Sequence, residues 1–127
     1  MQIPGYIKHS DELKKAGVDE VITYCVNDGA VMKAWAADQK IEGSVLTFMG
    51  DPYSSLTNAL DMKLTHDGPI GKGLTNRCKR SALYLVDGVV KAKEISEKPD
   101  DPAGDDFPES TCAPNMLKVI EALKDEL

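Results

Sequence analysis

Nowhere in the 127 residues does an apolar run approach the roughly 20 that a membrane-spanning helix needs. The opening Met1-Gln2-Ile3-Pro4-Gly5-Tyr6 lacks the charged-then-greasy pattern of a secretory leader, so neither membrane nor export is expected. There is no Cys-x-x-Cys. The two histidines, His9 and His66, lie far apart, as do the three cysteines, Cys25, Cys78 and Cys112. This excludes a disulfide framework and a zinc pattern, and no cofactor is implied. An excess of basic charge is missing too. With a formal net charge of −6 and a pI near 4.8, a long polyanion is repelled on average, so nucleic acid is not an expected partner. No internal repeat is visible.

What is present is the balance of a soluble globular chain, 42% apolar and 28% charged, of a length that suits one domain over residues 1–127. Three thiols without a leader fit a reducing compartment, and an odd count also allows one reactive thiol. From Ile7 to Ala16, acids come early, lysines late and Gly17 ends the run, which predicts a helix. Val18–Val26 predicts a strand buried on both faces, closed by Asn27-Asp28-Gly29. Asp28 can cap a helix over Ala30–Gln39 that turns Val31, Ala34 and Trp35 toward the sheet. Ser44–Met49 predicts a second strand, ended by Gly50-Asp51-Pro52, with a helix over Ser54–Leu60.

Asp61–Lys79 predicts irregular loop with about one helical turn. Ser81–Val86, Asp87-Gly88 and Val89–Ile95 together spell a hairpin, its first strand interior and its second nearer an edge. Lys98–Glu109, rich in proline and acid, predicts a solvated loop with Phe107 as its one anchor. Thr111 can cap a last helix with Pro114 in its first turn and Met116, Leu117, Ile120 and Leu123 on its apolar face. Strands interspersed with helices and ending in a hairpin plus helix indicate an α/β sandwich with a mixed sheet.

Five strings, in this order, narrow the picture: Pro4-Gly5-Tyr6; Val26-Asn27-Asp28 with Val31-Met32-Lys33-Ala34-Trp35; Gly50-Asp51-Pro52; Asn76-Arg77-Cys78-Lys79-Arg80 running into Ala82–Lys91; and Ala113-Pro114-Asn115-Met116-Leu117. Through them the chain resembles the type II, atypical-class peroxiredoxins, thioredoxin-fold thiol peroxidases of the redoxin family. The resemblance implies an α/β thioredoxin-like fold, with a mixed sheet flanked by helices. It also implies a cysteine thiolate within Pro-x-x-x-Thr-x-x-Cys that attacks a peroxide O–O bond and becomes a sulfenic acid. Hydrogen peroxide and alkyl hydroperoxides are the implied substrates, and glutaredoxin or thioredoxin the implied reductant. A helix start and a nearby arginine would acidify that thiol, and the guanidinium could also bind the peroxide oxygens. Arg80 matches the family arginine.

The departure is large. The family's cysteine lies a few residues ahead of Pro-Gly-Tyr, and no such motif occurs among these 127 residues. By the same resemblance the chain is expected to be truncated at its amino terminus. The strand running into that motif, central between those at Val18–Val26 and Ser81–Val86, is then absent. Those two strands are expected to pair directly, to accept a strand from another chain, or to carry a lost amino-terminal piece, because buried unpaired backbone groups cost about 1–3 kcal/mol each.

Of the thiols present, Cys25 in its apolar strand reads as inert. Cys78, between Arg77 and Lys79, has a positive surround that could depress its pKa. Cys112 lies near the place where animal members of the family carry a resolving cysteine. Anchoring on Ala113-Pro114-Asn115 puts it two residues late, on a serine of the plant-like pattern.

Gly68–Thr75 has glycine where a phosphate loop needs Ser or Thr after its lysine, so it reads as plain loop. Asp100, Asp101, Asp105 and Asp106 fit no calcium spacing. Lys124-Asp125-Glu126-Leu127 spells an endoplasmic-reticulum retrieval signal, unsupported by a leader. Three functions are in view: a peroxidase lacking its attacking cysteine and therefore inactive in this form; a non-catalytic thioredoxin-fold module with a homodimeric or strand-donating partner; and a redox-responsive protein using Cys78 or Cys112.

Overall fold

The computed structural model describes residues 2–73, 76–96 and 108–125. The chain starts in a helix, α1 (Gln2–Lys8), followed at once by α2 (Ser10–Lys15). Helix therefore begins five residues before the Ile7 expected from sequence. Pro4 sits in the first turn, where its missing N–H costs no intrahelical bond. The break at His9 coincides with Ser10, whose hydroxyl donates back to the Tyr6 carbonyl at 3.2 Å, a contact that bends helices.

Strand β1 (Val21–Cys25) runs parallel to β2 (Leu46–Gly50), with Val21 opposite Leu46 and Cys25 opposite Gly50. Between them lies α3 (Gly29–Gln39), capped as expected by Asp28, whose Oδ1 accepts from the Val31 N–H at 2.9 Å. The face it buries is only partly the expected one, with Trp35 turned to the sheet but Val31 and Ala34 exposed. Met32 is buried and Trp35 packs its ring 4.7 Å from that of Phe48, whereas Val31 is half exposed. Residues 32, 35, 36 and 39 form an equally good stripe at helical spacing. Gly50 is needed where it stands, because a Cβ there would lie 2.5 Å from the Asn27 carbonyl oxygen.

Two short helices follow, α4 (Ser55–Ala59) and α5 (Asp67–Gly71), and Lys63 bridges antiparallel to Cys78. The hairpin β3 (Ser81–Val86) and β4 (Val89–Ile95) stands as expected. Asp87 and Gly88 both have positive φ, 52° and 79°, the backbone of a tight hairpin turn. A bulge interrupts the ladder between Tyr84 and Leu85. A 3-10 turn (Glu109–Thr111) leads into α6 (Ala113–Asp125), with Pro114 tolerated in its first turn and Met116 and Ile120 buried. The expected loop over Lys98–Glu109, its anchor Phe107 and its four aspartates lie outside the described residues, apart from Pro108 and Glu109.

Ile3 and Tyr6 of α1, Leu13 of α2, Leu46 of β2, and Ala113 and Met116 of α6 share one core with Val45. Val21 and Phe48 from one strand pair and Ala82 and Tyr84 from the other pack against it. The expected mixed sheet is thus present as two separate pairs, one parallel and one antiparallel. β1 does not pair with β3, which removes the direct-pairing alternative. Neither strand is sealed in a dry interior: Ile22 on β1 is 54% exposed and Leu85 on β3 is 50% exposed. Water can therefore serve their backbone groups, and nothing forces the pairs together. For the same reason β1 and β3 are not the fully buried strands that their composition suggests.

Candidate active site

Arg80, just before β3, carries the guanidinium of interest. Its Nη1 donates at 2.9 Å to Oε1 of Gln2, the first residue of α1. The same Gln2 amide donates through Nε2 to the Thr111 carbonyl at 3.0 Å, and the buried Tyr6 hydroxyl donates to that carbonyl at 2.6 Å. With an arginine donor on one side and a carbonyl acceptor on the other, the orientation of the Gln2 amide is fixed. Burial, and then the nearby Cys112, hold the Tyr6 hydroxyl far above its ordinary pKa, so it stays a donor.

Thr111 does not cap α6. Its hydroxyl donates to the Pro108 carbonyl at 3.1 Å and meets Ser96 Oγ at 2.9 Å. The cap position falls on Cys112, whose carbonyl accepts from the Met116 N–H at 3.1 Å and whose thiol donates to the Pro108 carbonyl at 3.3 Å.

A second cluster gathers at the end of β1. Cys25 and Cys78 are both half-buried and within electrostatic reach of Arg77 and Arg80. Burial pushes the Cys25 thiol up, Cys78 adds to this, and the two arginines only partly offset it. Cys78 is also pushed up, first by burial and then by Asp51, against the lowering pull of its backbone bond, Arg77 and Arg80. The basic surround expected to acidify Cys78 is therefore outweighed. Desolvation acts on the anion itself, whereas exposed Arg77 delivers a screened charge.

Tyr24 and Asp51 complete this cluster. The shielded Tyr24 hydroxyl makes no hydrogen bond among the described residues. Burial raises its pKa against a lowering pull from Thr57, whose own hydroxyl is committed to Asp51 Oδ2 at 2.7 Å. Asp51 serves α4: burial would raise its pKa, but bonds from the Thr57 and Leu56 N–H groups and the Thr57 hydroxyl hold it below the usual carboxylate value.

The fold thus brings Arg80 to α1, puts Cys78 beside Cys25, and sets Cys112 one residue from the carbonyl that Gln2 holds. Sequence reading missed Gln2, Tyr24, Ser96 and Thr111 as site residues. Their partners lie 15 to 109 positions away in several cases, and no local spacing signals them. Among the described residues no group of three or more His, Cys, Asp or Glu side chains could hold a metal ion. His9 pairs with Glu12 at 2.9 Å, and His66 Nδ1 accepts from the Gly68 N–H at 3.0 Å. No helix among the described residues is long and apolar enough to cross a membrane. Residues 67–71 form a short helix and not the strand-to-helix cradle of a phosphate loop. The luminal reading of the carboxy-terminal tetrapeptide gains no support: the Lys124 amine donates to the Ala16 carbonyl.

Parallel and antiparallel strand pairs on a common set of helices, with an arginine at the first of them, define an α/β domain of thioredoxin-like class. Comparison with known proteins narrows this. The Redoxin family model matches residues 1–110. Peroxiredoxin-2C of Arabidopsis thaliana is 39% identical over 118 residues, covering 93% of this chain and 66% of that protein. The chloroplastic Peroxiredoxin-2E of the same plant is 34% identical over 119 residues, 93% of this chain and 47% of that protein. The crystal structure of reduced Prx3 in complex with hydrogen peroxide from Vibrio vulnificus superposes with a TM-score of 0.77 at 32% identity, covering 94% of this chain and 66% of that one. The chain belongs to the redoxin family, as a peroxiredoxin of type II, and it spans about half to two thirds of the length of these relatives.

Proposed function

We propose that residues 1–127 supply the scaffold and the guanidinium of a thiol peroxidase site within one redoxin domain. The observation that carries this reading is the bond from Arg80 Nη1 to Gln2, which holds a permanent cation at the first turn of α1. In the reaction, a thiolate attacks the terminal oxygen of a hydroperoxide. The O–O bond breaks, the sulfur takes the terminal OH to become a sulfenic acid, and the leaving oxygen takes up from solvent the proton that the thiol gave up, departing as alcohol or water. A dithiol of the thioredoxin or glutaredoxin type then reduces it, releasing water and leaving a disulfide on the donor. Arg80 would favour both the attacking anion and the negative charge growing on the leaving oxygen.

The attacking thiol is assigned to chain outside these residues. Cys25 and Cys78 are pushed toward their protonated forms, and the Cys112 thiol donates to a carbonyl. This also weighs against a redox-responsive role for Cys78. A reducing compartment suits such chemistry.

The edges of β1 and β3 that pair with no other strand favour a second element of the reading. One extended strand, from preceding chain or from a partner subunit, would satisfy both open edges and present its end near Arg80. A non-catalytic module would use the same edges for binding alone. The test is to read the encoded frame upstream of Met1 for Pro-x-x-x-Thr-x-x-Cys and to assay that longer chain with Arg80→Met. The proposal expects the motif and a loss of about 100-fold or more in kcat/KM for hydrogen peroxide. Turnover indifferent to Arg80 overturns it, and absence of both motif and turnover leaves the binding module.

A further inference from the structure

Four hydrogen bonds close a ring through the candidate site. The Arg80 carbonyl accepts from the Ser96 N–H at 3.0 Å, and Ser96 Oγ meets Thr111 Oγ1 at 2.9 Å. The Thr111 carbonyl accepts from Gln2 Nε2 at 3.0 Å, and Gln2 Oε1 accepts from Arg80 Nη1 at 2.9 Å. The ring joins residues far apart in sequence: the head of α1, the residue before β3, the residue after β4 and the turn before α6. Two of its members, Ser96 and Thr111, are buried hydroxyl residues at 4% and 0% exposure.

The Ser96 and Thr111 hydroxyls bond each other and the Pro108 carbonyl. Each residue fixes one end of what holds Arg80. Ser96 anchors its backbone, while Thr111 presents the carbonyl that orients Gln2. Further bonds immobilise the pair: Ser96 Oγ also meets Ser110 Oγ at 2.8 Å, and Tyr6 shares the Thr111 carbonyl. Inside a low-dielectric interior such bonds polarise one another, so removing one hydroxyl loosens its neighbours.

We infer that the buried Ser96–Thr111 hydroxyl pair acts as a remote positioning device, setting the guanidinium of Arg80 through Gln2. The inference deepens the proposed function and rests on its assignment of Arg80 to the peroxide site. Ser96, Thr111 and Gln2 are positioning residues in this account. The ring also runs past Cys112, the residue after Thr111, so the head of α6 and the site share one hydrogen-bonded support.

The ring can be read directly, because Arg77 and Arg80 are the only arginines in the chain. Nitrogen-15 guanidinium spectra, with Arg77→Lys to assign the signals, report the rotation rate about the Arg80 Nε–Cζ bond. Gln2→Leu should speed that rotation about tenfold, the equivalent of one charge-assisted hydrogen bond lost from the hindered state. Thr111→Val and Ser96→Ala should each speed it about threefold or more without touching the side chain, and Thr111→Ser should restore the wild-type rate. A role confined to stability would lower the melting temperature of these variants and leave the Arg80 signal unmoved. That result overturns the inference, as would failure of Thr111→Ser to rescue. Should Thr111→Val not fold, Ser96→Ala decides alone. Peroxide turnover that ignores Arg80→Met would defeat the proposed function while leaving the ring signature intact, so the two failures are distinguishable.

Discussion

The thiols of the second cluster offer a sharp test of the electrostatics. Cys25 and Cys78 share a half-buried position in which desolvation outweighs two arginines, so both thiols are pushed above their ordinary pKa. At pH 7.4 a free cysteine of pKa near 8.5 is about 7% thiolate, and a thiol pushed above its ordinary value is less so. The anion is the nucleophile, and half-burial slows access further. Alkylation by iodoacetamide at pH 7.4 should therefore proceed more slowly at both sites than at a cysteine in an unstructured peptide. Quenching at intervals, digesting and quantifying each cysteine by mass spectrometry gives the rates one site at a time. Repeating the series from pH 6.5 to 10 should show each rate still rising at pH 9. A plateau below about pH 8.5 at Cys78 would mean that Arg77 and Arg80 dominate after all, and would revive the redox-responsive reading.

Other consequences follow from packing and charge. Leu13→Ala, at a side chain 2% exposed in the shared core, should cost about 3 kcal/mol in urea denaturation with an unchanged m-value. Tyr6→Phe removes one of two donors from the Thr111 carbonyl and should cost about 1 kcal/mol by the same assay. Asp51 has a folded pKa below its unfolded one, so its contribution is present above about pH 4 and is lost as acid carries the pH down through the folded value. Asp51→Asn should flatten that part of the stability curve, seen in denaturant midpoints between pH 6 and pH 3.

The parts of this fold that were legible in sequence were those written in neighbouring residues. Asp87-Gly88 specified a tight turn because both positions need positive φ, and Asp28 announced a helix start because its carboxylate reaches three residues ahead. Local spacing was ambiguous where two solutions were equally apolar, as with Val31 and Met32 on α3. It failed at α1, where the expected helix started only at Ile7 although Pro4 and Gly5 sit inside a first turn that tolerates them. Exposure of Ile22 and Leu85 could not be read from composition, because it depends on whether another strand lies alongside.

The candidate site divides in the same way. Arg80 was visible through its motif and its place before the hairpin. What holds it was not, because Gln2 and Thr111 are ordinary polar residues until the fold closes 109 positions between them. Thr111 looked like a cap by its position before a helix, and its hydroxyl instead serves Ser96 across the chain. Cys78 looked activated by the lysine and arginines around it in sequence. A linear string shows neighbouring charge but not burial, and burial decides the direction here.

The central proposal is that these 127 residues hold the cation of a peroxide site without its nucleophile. It is tested most directly by following hydrogen peroxide consumption by the purified chain in the presence of thioredoxin and of glutaredoxin with their reductases. The account predicts a rate no greater than that of the same concentration of free cysteine, unchanged by Arg80→Met. Sustained turnover that depends on Cys25, Cys78 or Cys112 would contradict it.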